Sequence, residues 1–261
     1  MNPVLAVAAD GDRVTASGRV VHDETGDWFE PPLPVAMPAG LPRRVRPASR
    51  VAVRIIGAEF NGLSGQFERE GAVEGYAVLT GIWAAGLLRV EHQAPPEPRT
   101  GERPPWRLPP CAAPEGGWPR LTWGDGDRNL DYDLGDLRDT GVAVAVTCFR
   151  PSEDQAVLVV AATDPEAVEA QLRPQLGQLL CVIPSKWTRE ELDAVRSHLN
   201  AHHEDWNLYR WGYGSASDGQ GQVSARLTRM LPEVSQWAGT LPSGILKLQP
   251  WLARVSAATT C

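Results

Sequence analysis

The chain has few cysteines and no long apolar run, and each shortage limits what the protein can be. Four cysteines are scattered over 261 residues without a C-x-x-C pair: Cys111, Cys148, Cys181 and Cys261. This spacing argues against a disulfide framework or a cysteine zinc site and is typical of a reducing cytoplasm. No segment reaches the roughly eighteen consecutive apolar residues of a membrane span, and no basic region precedes an apolar one as in a signal peptide. We therefore expect a cytoplasmic protein that does not enter a membrane.

Lysine is also scarce, and the 32 acidic residues outnumber the 25 basic ones to give a formal net charge of −7. This excess disfavours a general electrostatic attraction to nucleic acid or anionic lipid. The catalytic motifs G-x-S-x-G, G-x-G-x-x-G and the P-loop are missing as well. Cys148 and Cys181 lie in apolar runs, where burial makes a thiol inert. The sequence therefore favours a protein that binds rather than an enzyme.

Proline divides the chain. Residues 94–120 are dense in proline, which blocks helix interiors and central strands. We interpret this stretch as an extended linker, held on a surface by Trp106 and Trp118. It separates an N-terminal domain, 1–93, from a C-terminal domain, 121–261.

The N-terminal domain has the pattern of β structure. Residues 12–21 alternate apolar and polar side chains, residues 50–60 are rich in β-branched residues, and two later runs are joined by a short turn at 84–86. Residues 23–44 contain too much proline for regular structure. About five short strands predict a small β-barrel of the OB type, with an immunoglobulin-like sandwich as the alternative.

The C-terminal domain alternates strands with helices. One helix is predicted after the N-cap Asp164, with Pro165 in its first turn and Gly177 at its end. A second begins at the capping box formed by Thr188 and Glu191. A short third helix follows near residue 232. The whole pattern predicts an α+β sandwich with a largely antiparallel sheet.

An acidic segment is the strongest candidate for a metal site. Its oxygen-bearing side chains occupy the ligand positions of a twelve-residue calcium loop: Asp125, Asp127, Asn129, Asp131, Asp133 and Asp136. Two departures weaken the match, since Leu130 replaces the turn glycine and Asp136 is shorter than the usual glutamate. The alternative is a solvated acidic turn. Calcium or another divalent cation is therefore a hypothesis, and otherwise no cofactor is expected.

Two histidines, His198 and His202, are four residues apart on a predicted helix, so that both side chains can face one metal ion. A zinc site needs a third ligand, which the helix does not offer. The alternative is a pair of imidazoles that border the core.

Arginines suggest a nucleic-acid interface at the entrance to a barrel strand: Arg43, Arg44, Arg46, Arg50 and Arg54. Trp28, Phe29, Tyr76 and Trp83 are candidate stacking faces. Nearby glutamates oppose this interpretation, and nucleic acid is the less favoured ligand.

The chain has ten tryptophans. Trp187, Trp206 and Trp211 lie at the ends of predicted elements, where they either close the edge of a core or line a groove for a partner.

Several phrases, among them NLDYDLGDL, LLCVIPSKWT and LPEVSQWAGTLPSGILKLQPWL, resemble a family of uncharacterised actinobacterial proteins. VEGYAVLTGIWAAGLLRVE in the N-terminal domain is similar too. The resemblance implies a cytoplasmic bacterial protein and carries no activity or site.

The sequence thus predicts a two-domain, non-catalytic protein that binds another protein. The alternatives are an OB-type binder of single-stranded nucleic acid and a metal-dependent hydrolase that uses residues 125–136.

Overall fold

The computed structural model describes residues 7–32, 49–69, 71–97, 106–120 and 142–255. These residues form thirteen strands and three α-helices. None of the described helices combines the length and the apolar composition of a membrane span.

The largest sheet has seven strands and is built mainly from the N-terminal part of the chain. Its members are β1 (Arg13–Asp23), β2 (Gly26–Glu30), β3 (Val53–Ile56), β4 (Ser64–Arg69), β5 (Ala72–Ala84), β6 (Leu87–Ala94) and β13 (Ala253–Arg254). Their order is β13-β1-β2-β3-β6-β5-β4, and β1 also pairs with β5. This extra pairing closes a ring of five strands, in which only β3 and β6 are parallel.

The predicted alternation in β1 sets the inside of this ring. Val14 and Val20 point inward and are fully buried, together with Phe29 and Leu79. Phe29 lies on β2, within the stretch that we expected to be irregular. That expectation is wrong for residues 26–30, because β2 pairs with β1 through a tight hairpin and buries Phe29.

The turn between β5 and β6 is the predicted hairpin. Ala85 and Gly86 have φ angles of 50° and 79°. Positive φ angles at both central residues are typical of a type I′ turn, whose twist matches that of the adjoining strands.

Arg19, one of the polar residues in the alternation of β1, is only 2% exposed. Its guanidinium bonds to two buried carboxylates, those of Glu30 and Glu74, the latter at 2.6 Å. Glu30 also accepts the backbone N–H of Ser49 at 2.8 Å. The burial of Arg19 is tolerated because its charge is paired and hydrogen-bonded.

Two smaller sheets make up most of the C-terminal part. The first sheet contains β7 (Ala143–Ser152), β8 (Gln155–Ala162) and β9 (Leu180–Pro184), and the second sheet contains β10 (Leu208–Ser215), β11 (Gly221–Leu227) and β12 (Leu246–Pro250). In each, the first two strands are antiparallel and the third is parallel to the second. The expected antiparallel sheet is thus two mixed sheets, since a helix crosses over between the second and third strands of each.

Those crossover helices are α1 (Pro165–Leu176) in the first sheet and α3 (Pro232–Thr240) in the second, and α2 (Arg189–Ala201) lies between the sheets in the chain. The predicted caps are confirmed: Asp164 accepts the N–H of Ala167, and Thr188 and Glu191 form a reciprocal capping box. The helix ends were predictable because caps depend on neighbours in sequence.

The C-terminal residues return to the N-terminal ring. Trp251 and Leu252 pack against the ring core, and β13 pairs with β1. The indole N–H of Trp251 donates to the carbonyl of Ser17 at 2.8 Å. The predicted domain boundaries at 93 and 121 stay a prediction, but residues 251–254 contribute to the N-terminal sheet.

The expectation of no disulfide is wrong, because Cys111 and Cys181 are bonded across a separation of 70 residues. The proline-rich segment 106–120 lies on the first sheet, on the face to which Cys181 points. Cys148, expected to be buried, is exposed. It lies on β7, whereas α1 packs mainly on β8 and β9.

Candidate functional site

Some of the predicted site residues lie outside the described residues. This applies to the acidic ligand set Asp125, Asp127, Asn129, Asp131, Asp133 and Asp136, and to Arg43, Arg44 and Arg46. Both hypotheses stay predictions at those positions.

The other two arginines already contact protein groups. Arg50 donates to the carbonyl of Leu208 at 3.2 Å, and Arg54 lies 4.8 Å from the centre of a Trp28 ring. Phe29 and Trp83 belong to the ring core, so their prediction as stacking faces is wrong. The alternation of a strand places them inward, whereas Trp28 and Tyr76 point outward.

The three predicted partner-binding tryptophans lie around the core of the second sheet. Trp206 is 6% exposed and is part of that core. Trp187 and Trp211 are half-buried and pack against it. Their large rings close the edge of this core.

The two candidate zinc ligands form an aromatic cluster with tryptophans. His198 stacks on Trp237 at 4.4 Å between ring centres, and His202 stacks on Trp206 at 4.9 Å. Burial, and next the charge of His202, lower the pKa of His198. No group of three potential metal ligands occurs among the described residues. In the described structure the two imidazoles are partly buried rings that stack on tryptophans of the core, and the zinc hypothesis stays a prediction.

The outer face of the second sheet, turned away from α2 and α3, has a different character. We call it the cationic face, and it consists of Arg210, Gly212, Gly214, Gln222, Ser224, Arg226, Lys247 and Gln249. The strand register places these residues on one side because side chains alternate. The opposite side carries the buried Leu208, Val223, Ala225 and Leu227.

Positive charge is concentrated on the cationic face. Arg210 is the direct cross-strand partner of Arg226, and both are exposed, as is Lys247. None of the residues that form this face is acidic, and no carboxylate of the described residues forms an ion pair with these three cations. Like charges directly opposite each other destabilise a sheet. An anionic ligand would relieve this repulsion.

Two glycines form the floor of this face. Gly212 and Gly214 lie inside β10, and neither has a positive φ. Among the described residues, no atom lies within 4 Å of the place where a Cβ of Gly212 would stand. Within the described part of the chain, neither a positive φ nor a close contact requires glycine at position 212. Glycine in a strand interior is typical of a site where a ligand or another backbone approaches closely.

Tyr209 lies beside the cations. The register of β10 shifts between Leu208 and Arg210, so that Tyr209 has no cross-strand partner in the ladder. Burial raises the pKa of Tyr209, and the nearby charge of Arg226 acts in the opposite direction. The phenol therefore stays protonated at neutral pH and can donate a hydrogen bond to an anion.

The cationic face was not predicted, although its signal is in the sequence. Arg210, Gly212 and Gly214 alternate with apolar residues, as do Gln222, Ser224 and Arg226. The alternation shows a polar side on each strand, but the parallel pairing that adds Lys247 is non-local. Chemically, this arrangement is suited to hold carboxylate or phosphate groups.

No protein-family model, no curated protein sequence and no solved structure matches the chain.

Proposed function

We propose that this protein is a non-catalytic binding protein whose cationic face holds a short acidic segment of a partner protein. The observation that carries the proposal is the unbalanced charge of Arg210, Arg226 and Lys247 around a glycine floor. Arginine and lysine side chains form charge-assisted hydrogen bonds to carboxylates, and the bare backbone at Gly212 gives a partner's chain room to approach.

The size of the face favours a short segment over a long polyanion. Three strands spaced about 4.8 Å apart give a width of about 10 Å. This width fits a few carboxylates. A nucleic-acid strand would extend beyond it onto a protein whose formal net charge is −7, which repels a long polyanion.

The two lysines of the chain provide a direct footprint. Lys247 lies on the cationic face, whereas Lys186 pairs with Asp218 at 2.8 Å elsewhere. An acidic hexapeptide rich in glutamate is titrated into the intact protein, and lysine acylation is followed by mass spectrometry. We expect the peptide to protect Lys247 and to leave the acylation of Lys186 unchanged. Equal labelling of Lys247 with and without peptide at low salt would contradict the proposal.

Arginine variants test the same face by affinity. In Arg210→Gln and Arg226→Gln, we expect the affinity for the peptide to fall about tenfold each, since about 1.4 kcal/mol corresponds to a factor of ten. Arg89→Gln is the matched control, because Arg89 is an exposed arginine on β6 of the ring. Equal losses in Arg89→Gln and Arg210→Gln would indicate unspecific charge attraction and reject the site.

A second candidate function is the binding of single-stranded nucleic acid by the ring. Its support is the closed order β1-β2-β3-β6-β5 and the outward pair of Trp28 and Arg54. OB folds bind oligonucleotides on the face of their second and third strands, and this pair lies on β2 and β3. The observation favours an OB-type ring without assigning a ligand.

Oligonucleotide binding separates the two functions. If the ring binds nucleic acid, an eight-nucleotide strand binds at low salt, weakens as salt rises, and is lost in Arg54→Gln but not in Arg210→Gln. The opposite pattern, loss in Arg210→Gln alone, would make nucleic acid the ligand of the cationic face and overturn the acidic-segment proposal.

The hydrolase alternative depends on residues 125–136, and calorimetry tests it separately. Calcium or manganese heats that disappear in the double variant Asp125→Ala, Asp127→Ala would support a cation site. No heat at millimolar metal would end this alternative.

A further inference from the structure

We infer that the disulfide between Cys111 and Cys181 is a redox-controlled clamp, opened by a thiol reductant that attacks Cys111 and thereby uncovers the outer face of the first sheet. The inference does not depend on the proposed function, because it concerns the other small sheet.

The two sulfur atoms differ in access. Cys181 is 1% exposed, within β9, whereas Cys111 is only partly buried in the proline-rich segment. Because a thiolate must reach the sulfur that it attacks, the incoming thiol meets Cys111. Cys181 is then the leaving thiolate.

The segment that carries Cys111 covers an apolar surface. Cys111 and Trp118 pack against Phe149, Val157 and Val159, each 1% exposed or less. These three side chains lie on the face of the first sheet opposite α1. The turn that contains Gly219 also lies against Phe149 and Val159. Departure of segment 106–120 therefore exposes to water the part of this apolar surface that Cys111 and Trp118 cover.

Apart from the disulfide, polar contacts near the two ends of the segment hold it. The backbone N–H of Arg107 donates to the carbonyl of Arg150 at 3.0 Å. The Gln155 amide donates to the carbonyl of Trp118 at 2.7 Å, and Arg120 forms an ion pair with Asp154 at 3.0 Å. The side chain of Arg120 is 82% exposed, and such surface ion pairs contribute little. A β-bridge also pairs Arg120 with Gln155 at this end. Between the two ends, the disulfide is the covalent link that holds the segment to β9.

Opening follows two thiol–disulfide exchanges. In the first, a thiolate attacks Sγ of Cys111, a new S–S bond forms between them, and the electron pair of the broken bond leaves on Sγ of Cys181, which takes a proton from solvent. In the second, another thiolate attacks the reductant's sulfur and releases Cys111, which is protonated in turn. The protein disulfide gains two electrons, and two thiols, or one dithiol, become a disulfide.

Surface exposure and thiol reactivity test the clamp in the intact chain. Dithiothreitol is added without denaturant in the background Cys148→Ser, Cys261→Ser, which leaves only the clamp cysteines. We expect binding of an apolar fluorescent dye to increase several-fold, and both Cys111 and Cys181 to be alkylated in native buffer. Acid quenching early in a parallel reduction by the monothiol glutathione should give a mixed disulfide on the peptide that contains Cys111.

A second variant keeps the test independent of the reductant. In Cys111→Ser in the same background, dye binding should be high with or without dithiothreitol, and Cys181 should react in native buffer. Three results would each overturn the inference: equal dye binding before and after reduction, a Cys181 thiol that reacts only in urea, or a mixed disulfide on the Cys181 peptide. Circular dichroism of both forms checks that the sheets remain folded.

Discussion

The two small sheets have the same connectivity but opposite outer faces. In each, a hairpin is followed by a helix and by a third strand parallel to the second. The outer face of the first sheet is apolar and is covered by segment 106–120 and by the turn that contains Gly219. The outer face of the second sheet carries three cations over two glycines.

This difference shows that a shared topology does not decide what a sheet face does. Both inner faces bury apolar side chains under helices, which is what holds each sheet together. The outer faces are then free to differ, and the side chains at alternate positions decide whether a face is apolar or charged.

The largest predicted effect is a loss of stability when the covered outer face of the first sheet is disrupted. Phe149→Ala removes a side chain that is 1% exposed beneath Trp118 and Cys111. Loss of a buried phenylalanine should lower the free energy of unfolding by about 3–5 kcal/mol. Urea unfolding measures it, with Ile56→Ala as control, because Ile56 is 55% exposed. A loss below about 1 kcal/mol would mean that the first sheet's outer face is not packed.

The next largest effect is on stability, and it should have opposite signs for alanine substitutions at glycines on the two sides of the second sheet. A Cβ on Gly221 would lie 3.1 Å from Leu192 and 3.3 Å from Ala145, so Gly221→Ala should cost about 1–3 kcal/mol. Gly212→Ala meets open space on the cationic face and should stabilise by about 0.4–1 kcal/mol. Thermal unfolding of both variants gives the comparison.

The variant Gly212→Ala also tests the proposed binding function. If Gly212 provides access for a partner's backbone, Gly212→Ala should weaken binding of the acidic peptide while raising stability. A variant that is both more stable and fully competent to bind would show that the glycine has no part in recognition.

What the sequence predicted is local, and most of what it missed is not. The exception is the tight β1–β2 hairpin, which lies in the stretch 23–44 that was expected to be irregular. Helix caps at Asp164 and Thr188 and the hairpin turn at Ala85 depend on residues within a few positions, and all were predicted. The disulfide, the ring closure between β1 and β5 and the two parallel pairings join residues far apart in the chain. The side-chain pattern of one β-strand does not specify which distant strand it pairs with, or in which register.

The candidate site was missed for the same reason. Arg210, Arg226 and Lys247 come from three strands and become one patch only when those strands pair. A sequence pattern alone reveals only clusters that are contiguous in the chain, such as the arginines from 43 to 54. Arg50 and Arg54, however, each contact protein groups in the folded chain.

A smaller effect is expected from the opposed arginines. Arg210→Thr removes a like charge directly across from Arg226 and should stabilise the second sheet by about 0.2–1 kcal/mol at low salt. The gain should shrink as salt screens the repulsion. Urea midpoints at two salt concentrations measure it. The control is Arg254→Thr, since Arg254 pairs with Asp12 at 3.0 Å and its loss should not stabilise. A salt-independent gain would point to strand propensity instead of charge.

The smallest expected effect is a pH dependence confined to the second sheet, whose helical cover contains His198. Burial, and then the charge of His202, hold the pKa of His198 below its ordinary value, so the folded protein favours the neutral ring. As pH falls below about 6.5, the unfolded chain takes up a proton first, and stability decreases until the pH reaches the folded pKa. Below that, both states are protonated and the loss stops. In His198→Phe, which keeps an aromatic ring against Trp237, the decrease should be smaller.

The helix over the first sheet, α1, contains no histidine. Hydrogen exchange at mildly acidic pH should therefore reveal lower protection in β10 and β11 and little change in β8 and β9. Equal losses in both sheets would mean that acid acts on the whole fold and that the histidine cluster does not distinguish one sheet from the other.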